Sequence, residues 1–223
     1  MSLVVRLVPV VLLFLVLGGC SGGQAEAGPG PGGVADWLQE PYVGSVLAAS
    51  SAPSGGGARV PSSDWGAASA VLSDAGDGKV RLAVVGSIRE PGDAGFVIDG
   101  HVGAEGWRAA SQDVELVIDG DGALRGQGAV EDQRFRFDGT ISRDRFDLEV
   151  EIELLARNQA ALPAGTVFRF DYTLARVADP GAMPDTDGAG DGRACDRIEW
   201  RSRNVANLSG GPMQMIQVPE CVR

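Results

Sequence analysis

The chain has a single histidine, three cysteines and a deficit of basic charge: 19 Lys and Arg stand against 30 Asp and Glu, for a formal net charge of −11. Each shortage closes a route. One imidazole leaves no pair for an HExxH zinc site, outside residues 19–23 the sequence has no GxSxG, and it has no GxxxxGK[ST] phosphate loop. His101 sits in Asp99-Gly100-His101-Val102-Gly103, where it reads as an exposed residue on the polar face of a strand, since lone titratable groups seldom form sites. Thirty acidic residues offer many carboxylate pairs and single out none for glycoside hydrolysis. No cofactor is expected, and the chain reads as a non-enzymatic protein. The acidic balance argues against nucleic acid, whose phosphates demand clustered Lys and Arg, and against electrostatic docking on anionic lipid. A membrane-spanning helix is also missing at the N-terminus: the apolar run from Leu7 to Leu17 has eleven residues, against the ~20 that a bilayer needs.

That short run has another meaning. Arg6 precedes it, small residues follow it, and Leu17-Gly18-Gly19-Cys20 closes it, in the order of a secretory signal segment. The four residues resemble the lipobox of bacterial lipoproteins, in which a lipoprotein signal peptidase cuts before a cysteine that has received a diacylglyceryl group. The resemblance implies that residues 1–19 are removed, that Cys20 carries the lipid, and that the protein is held to a membrane of the cell envelope. Stable anchoring needs two or more acyl chains, which this processing supplies. Ser21 follows the cysteine where relatives retained in the inner membrane tend to have Asp, so the resemblance implies outer-membrane sorting in a Gram-negative host.

Export places Cys195 and Cys221 in an oxidising compartment, where an even pair bridges. Closing that loop stabilises a fold by ~3.5 kcal/mol on the chain-entropy estimate. Free thiols are the alternative; metal ligation lacks a paired CxxC. Between them, Asp185, Asp187 and Asp191 fall at positions 1, 3 and 7 of an EF-hand-like frame with Gly190 at 6. Ala189 cannot ligate at 5 and Asp196 stands in for the bidentate Glu, so an acidic loop is the simpler reading and these three are weak metal candidates.

Residues 20–63 are rich in Gly, Pro, Ala and Ser, as in Gly28-Pro29-Gly30-Pro31-Gly32-Gly33, and read as a lipidated flexible tether. Val34, Trp37 and Leu38 have helical spacing before Pro41, with Tyr42 and Val43 beyond, and packing on the main domain is the expected role of this island. From Asp64 the apolar period becomes two. Phe146, Leu148, Val150, Ile152 and Leu154 alternate with Asp147, Glu149, Glu151 and Glu153, the pattern of a strand with one buried and one wetted face. Further runs begin at Val80, Phe96, Val114, Leu124, Phe135 and Phe168, separated by the turn sequences at 74–78, 119–122 and 142–145. The expectation over 64–178 is all-β: an antiparallel meander forming a small barrel or strongly twisted sheet, with Gly86, Gly100, Gly126, Gly128 and Gly139 allowing bends or close backbone approach. Residues 179–223 read as the acidic loop and a disulfide-closed C-terminal appendage, whose Arg197, Arg201 and Arg203 either meet a partner or neutralise acidic strand faces. Its Met and Trp residues suggest either a cap over the barrel end or an exposed recognition surface.

The run from Val117 to Gly126, then Phe135-Arg136-Phe137-Asp138-Gly139-Thr140-Ile141 and Phe146, is similar to hairpins in the barrels of surface lipoproteins such as transferrin-binding and factor H-binding proteins. The resemblance is architectural and brings no binding residue with it. Two functional readings lead. One is an envelope lipoprotein whose β-domain binds a protein partner or is structural; the other is a lipocalin-like carrier of a small apolar ligand. An envelope hydrolase is third. Filling separates the first two: Phe135, Phe137, Phe146, Phe168 and Phe170 would pack a small barrel solid, whereas a carrier needs a connected cavity of several hundred Å³, as in ~300–1,000 Å³ ligand sites.

Overall fold

The computed structural model describes residues 41–53, 63–88, 93–111, 113–158, 162–177 and 197–222. Cys20, Cys195, Asp185, Asp187, Asp191 and the island at 34–38 lie outside them. The described residues form twelve strands and no helix: β1 (Tyr42–Ser51), β2 (Asp64–Gly76), β3 (Lys79–Ile88), β4 (Asp93–Gly103), β5 (Gly106–Ala110), β6 (Val114–Asp119), β7 (Ala123–Val130), β8 (Gln133–Ile141), β9 (Arg145–Leu154), β10 (Val167–Arg176), β11 (Arg197–Asn207) and β12 (Gln214–Val222).

Each of β1 to β10 pairs antiparallel with the next, and β1 pairs in turn with β10 from Tyr42↔Arg176 to Ser51↔Val167. The meander therefore closes into a ten-stranded barrel, which leaves none of these strands as an open edge. Three tight turns have the chemistry their sequences require. Between β2 and β3, Gly76, Asp77 and Gly78 all take positive φ (79°, 54° and 71°), a region that glycine enters freely and Asp tolerates. Between β6 and β7, the Asp119 carboxylate accepts hydrogen bonds from the amides of Asp121 (3.0 Å) and Ala123 (2.9 Å). Between β8 and β9, Ser142 and Arg145 close the turn, with Ser142 Oγ accepting the Arg145 amide at 3.1 Å.

Alternation then sorts the side chains. One set from every strand points inward and fills the barrel: Leu82, Ile98, Trp107, Leu116, Leu124, Phe137, Phe146 and Leu174 are buried there, with Tyr42 and Val46 from β1. Aromatic rings make specific contacts across the interior, Phe96 edge-on to Phe137 at 5.3 Å, Phe135 parallel to Phe137 at 6.2 Å, and Tyr42 tilted on Phe146 at 5.8 Å. Trp107 is fully buried, and its indole N–H donates to the Val80 carbonyl at 3.0 Å. It lies against Gly100, where a Cβ would come within 2.6 Å of the indole ring. The burial of Tyr172 in the same interior raises its phenol pKa far above the usual value by desolvation alone.

β11 and β12 form an antiparallel hairpin outside the barrel. It joins the wall through a short parallel pairing with β4, Ala206↔Phe96 and Asn207↔Val97. Val205 and Val218, with Ile216 partly buried, pack on the outward-facing Val71, Ala83, Val85 and Val97 of β2, β3 and β4, a second core separate from the interior. The all-β barrel expectation holds. One stretch differs from its reading as tether: Tyr42–Ser51 is strand β1, completing the ring between β2 and β10. Its Gly, Ser and Ala content hides the strand, because Gly44 sits where a Cβ would lie 2.2 Å from the Thr173 carbonyl oxygen of β10, so the small residue permits close pairing.

Candidate functional site

Buried apolar side chains cluster inside the barrel, and a cleft of about 670 Å³ opens on the outer wall of β6, β7, β8 and β9, beside the β5–β6 connection. Its floor is Val114, Gly128 and Phe135, and its walls include Asp113, Gln127, Arg134, Arg136, Glu151 and Glu153. Gly128 makes the floor: a Cβ there would lie 2.3 Å from the Asp113 carbonyl oxygen, and the amide of Ala129 donates to that oxygen at 2.8 Å. The backbone entering β6 can therefore close against β7, and Asp113 stands at the rim. The strand period supplies the walls, since Arg134 and Arg136 alternate with the inward Phe135 and Phe137.

The charges are only partly neutralised. Arg134 pairs with Glu153 at 2.7 Å, and Glu115 with Arg108 at 3.0 Å. Arg136 lies opposite Glu151 in the β8–β9 register and opposite Gln127 in the β7–β8 register. Neither Arg136 nor Glu151 makes an ion pair among the described residues, so a guanidinium and a carboxylate stand side by side, available to a polar ligand. Such a surface recognises by hydrogen bonds and charge. The strand period placed Glu151 and Glu153 outward; the cleft itself, with Asp113, Gln127 and Arg134, was not legible from pattern.

His101 is exposed on β4, across from Lys79 and Arg108 in the two flanking registers. That arrangement surrounds it with cations and brings no nucleophile to it. Among the described residues no group of three His, Cys, Asp or Glu is placed to hold a metal ion. Cys221 belongs to β12, across from Ile198, while its expected partner Cys195 and the acidic-loop candidates Asp185, Asp187 and Asp191 lie outside the described residues.

The hairpin carries the other concentration of charge. Arg201 pairs with both Glu199 (3.2 Å) and Glu220 (3.4 Å), Arg203 with Glu220 (2.5 Å), and Arg197 with Glu199. Glu199 and Glu220 stand directly opposite each other, an unfavourable like-charge position that the arginines offset. The Arg201 hydrogen bond, followed by the charge of Arg197, lowers the Glu199 carboxyl below its ordinary range. The three arginines thus pair within the hairpin. Nearer its tip, Arg81 on β3 grips Asp99 on β4 in a bidentate pair (2.6 and 3.0 Å), and the Asp99 amide donates to Ser209 Oγ at 2.7 Å, with the Leu208 amide on the Val97 carbonyl at 2.9 Å. Trp200, Met213 and Met215 remain exposed, at 55%, 68% and 71%. Val205 and Val218 of the hairpin pack on the outside of β2, β3 and β4, while Leu208 at its tip joins the interior cluster. No protein-family model and no curated protein matches this chain.

Proposed function

We propose that this chain is a lipid-anchored cell-envelope lipoprotein whose β-barrel is a non-enzymatic domain that binds a protein partner, in the outer membrane where the host has one. The observation that carries the binding half is the occupancy of the barrel interior. Phe96, Phe135, Phe137, Phe146 and Trp107 meet where a carrier would hold its ligand, so recognition falls to the outer wall. The cleft with Arg136 and Glu151 is the surface offered to the partner. The anchoring half rests on Leu17-Gly18-Gly19-Cys20 and the apolar run before it.

A disulfide between Cys195 and Cys221 belongs to the same reading. Cys221 faces Ile198, three residues from Cys195. Three further residues of ladder would carry the chain ~10 Å along, beyond the ~7 Å limit for bridged Cα atoms, so bridging requires the chain to leave the ladder between Cys195 and Arg197.

Intact mass of the protein taken from the envelope fraction tests the anchor: the expected species lacks residues 1–19 and carries acyl groups on Cys20, and recovery of an unprocessed or unacylated chain overturns it. Crosslinked pull-down from envelope extract, with and without an Arg136→Ala and Glu151→Ala double variant, tests the partner. One protein enriched by the natural chain and lost with the variant supports the reading. A lipid that co-purifies in stoichiometric amount with the barrel would instead establish the carrier.

A further inference from the structure

The hairpin reverses the usual polarity of a surface layer. In the β11–β12 register, one set of positions holds Arg197, Glu199, Arg201, Arg203 and Glu220 together with the valines that pack on the barrel. The alternate set, residues 198, 200, 202 and 204 facing 221, 219, 217 and 215, contains no Asp, Glu, Lys or Arg. It carries Trp200 and Met215, with Met213 just beyond, and between them the Gln217 amide Nε2 donates to Ser202 Oγ at 2.7 Å. The barrel does the opposite: β9 turns Asp147, Glu149, Glu151 and Glu153 outward. In a chain of net charge −11, one face free of charge and carrying the exposed Trp and Met side chains is built to meet something apolar.

Size and position indicate what. A two-stranded face over residues 198–204 presents on the order of 250 Å², from 3.3 Å rise and 4.8 Å strand spacing. A stable protein interface needs about 800 Å² from each partner, which this face alone does not approach. A small face suffices when a tether already holds it beside its target, because docking then proceeds at high effective concentration. Pro219, across from Trp200, is the buried member of that set and not part of the exposed face: it lines a narrow gap against the barrel with Gly44 and Ala67, and Gly44 follows closely on Pro41, where the described chain begins. The stretch from Cys20 to Pro41 reaches at most about 75 Å even when fully extended. The geometry points to the outer face of the β11–β12 hairpin as a membrane-docking surface, with Trp200 entering the headgroup region of a zwitterionic phospholipid layer. The inference rests on the lipid-anchored reading above. A zwitterionic surface fits because the acidic barrel is repelled by an anionic one, and Trp is the side chain that favours the interface between headgroups and acyl chains.

The test uses the mature chain, residues 20–223, coupled through the Cys20 thiol to a maleimide lipid in phosphatidylcholine vesicles with brominated acyl chains, the coupling site being checked by peptide mapping. Bromine quenches tryptophan only at close range. The expected result is about twofold stronger quenching for the natural chain than for Trp200→Tyr, with a Met213→Ser and Met215→Ser double variant lying between them. Equal quenching of the natural chain and Trp200→Tyr overturns the inference, as does a difference spectrum between the two proteins that aqueous iodide quenches equally on and off the vesicles. Because the attachment is chemical, a negative result rejects docking and leaves the lipid-anchor reading to the intact-mass measurement.

Discussion

The barrel and the hairpin solve the same problem, burying one face of a sheet, in different ways. In the barrel, ten strands each give every second side chain to a common interior, and closure leaves no edge among them. Every interior residue there touches partners brought from distant parts of the chain. The hairpin lays Val205, Val218 and Ile216 on apolar residues of the outside of the barrel and places Leu208 of its tip in the interior cluster, and its link to the sheet is two residue pairs on β4. Its polar attachments to the wall are Ser209 on the Asp99 amide and the Leu208 amide on the Val97 carbonyl. The difference teaches that the ring of strands closes without the hairpin, which adds Leu208 to the interior and otherwise rests on the wall it lies on. Local opening should follow that order, with the hairpin at the low end of the stability range.

The largest effect belongs to the interior. Phe137→Ala removes a ring that touches both Phe96 and Phe135 and leaves a cavity that a closed barrel cannot collapse to fill. The expected loss is about 3–5 kcal/mol, read from urea unfolding, with barrel and hairpin amides losing exchange protection together. A loss under 1 kcal/mol would mean that the interior is loosely filled and would reopen the carrier reading.

The hairpin core comes next. Val218→Ala deletes two methyl groups from the layer over Val85 and Val97, for a cost of about 1–2 kcal/mol at ~0.8 kcal/mol per group plus the small cavity. Hydrogen exchange should quicken in residues 197–222 while the amides of β7, β8 and β9 stay protected. Uniform quickening across both regions would show that they unfold as one unit and would break the comparison.

These two regions also differed in how far the sequence disclosed them. Strict alternation in Phe146 to Leu154, Phe168 to Leu174 and Val114 to Ile118 marked strands whose apolar faces are indeed inside, and the turn residues at 74–78, 119–122 and 142–145 marked their connections. The strand β1 escaped because its Gly, Ala and Ser residues, chosen for close pairing beside β10, look like linker composition. Val102 shows the limit of alternation itself: it has the inward phase of Phe96 and Ile98 yet is 43% exposed, since it lies at the barrel rim beside the β4–β5 turn. The hairpin was harder still. Val205 stands alone after Arg203 and Asn204, Ile216 and Val218 sit among Met, Gln and Pro, and nothing local reveals that the outer faces of β2, β3 and β4 are apolar because a second layer covers them. Of the cleft, the sequence disclosed Glu151 and Glu153 as outward residues, but its concavity depends on how the strands come together in space.

Acid should loosen the hairpin before the barrel. The hydrogen bond from Arg81 is the main reason the Asp99 carboxyl titrates below its ordinary range, and partial burial opposes it; Glu199 is lowered chiefly by Arg201. A carboxyl lowered on folding contributes stability that is fully present above the unfolded value, about pH 4, and is lost as pH falls through the lower folded value. The guanidinium of Arg81 is raised and stays charged throughout, so the effect follows the acids. Between pH 4 and 2, exchange at residues 197–210 is expected to rise ahead of exchange in β8 and β9, and Asp99→Asn should flatten part of that rise. An unchanged pH profile in this variant would place the acid sensitivity elsewhere.

The smallest stability effect, and the sharpest functional one, is expected at the cleft. Arg136→Ala removes an outward side chain that makes no ion pair among the described residues, so unfolding free energy should change by less than about 0.5 kcal/mol. The barrel loses nothing it uses to stay closed. A partner that docks in the cleft loses the one guanidinium there not already neutralised by a neighbour, as Arg134 is by Glu153. Truncating one member of a buried, hydrogen-bonded charge pair at an interface costs about 2–5 kcal/mol of affinity, a thirtyfold loss or more, against near-zero loss of stability. Titration of the partner captured from envelope extract against the natural chain and the variant reads this directly: equal affinity would move the recognition surface away from the cleft and leave the barrel's outer wall on β6–β9 with a structural role.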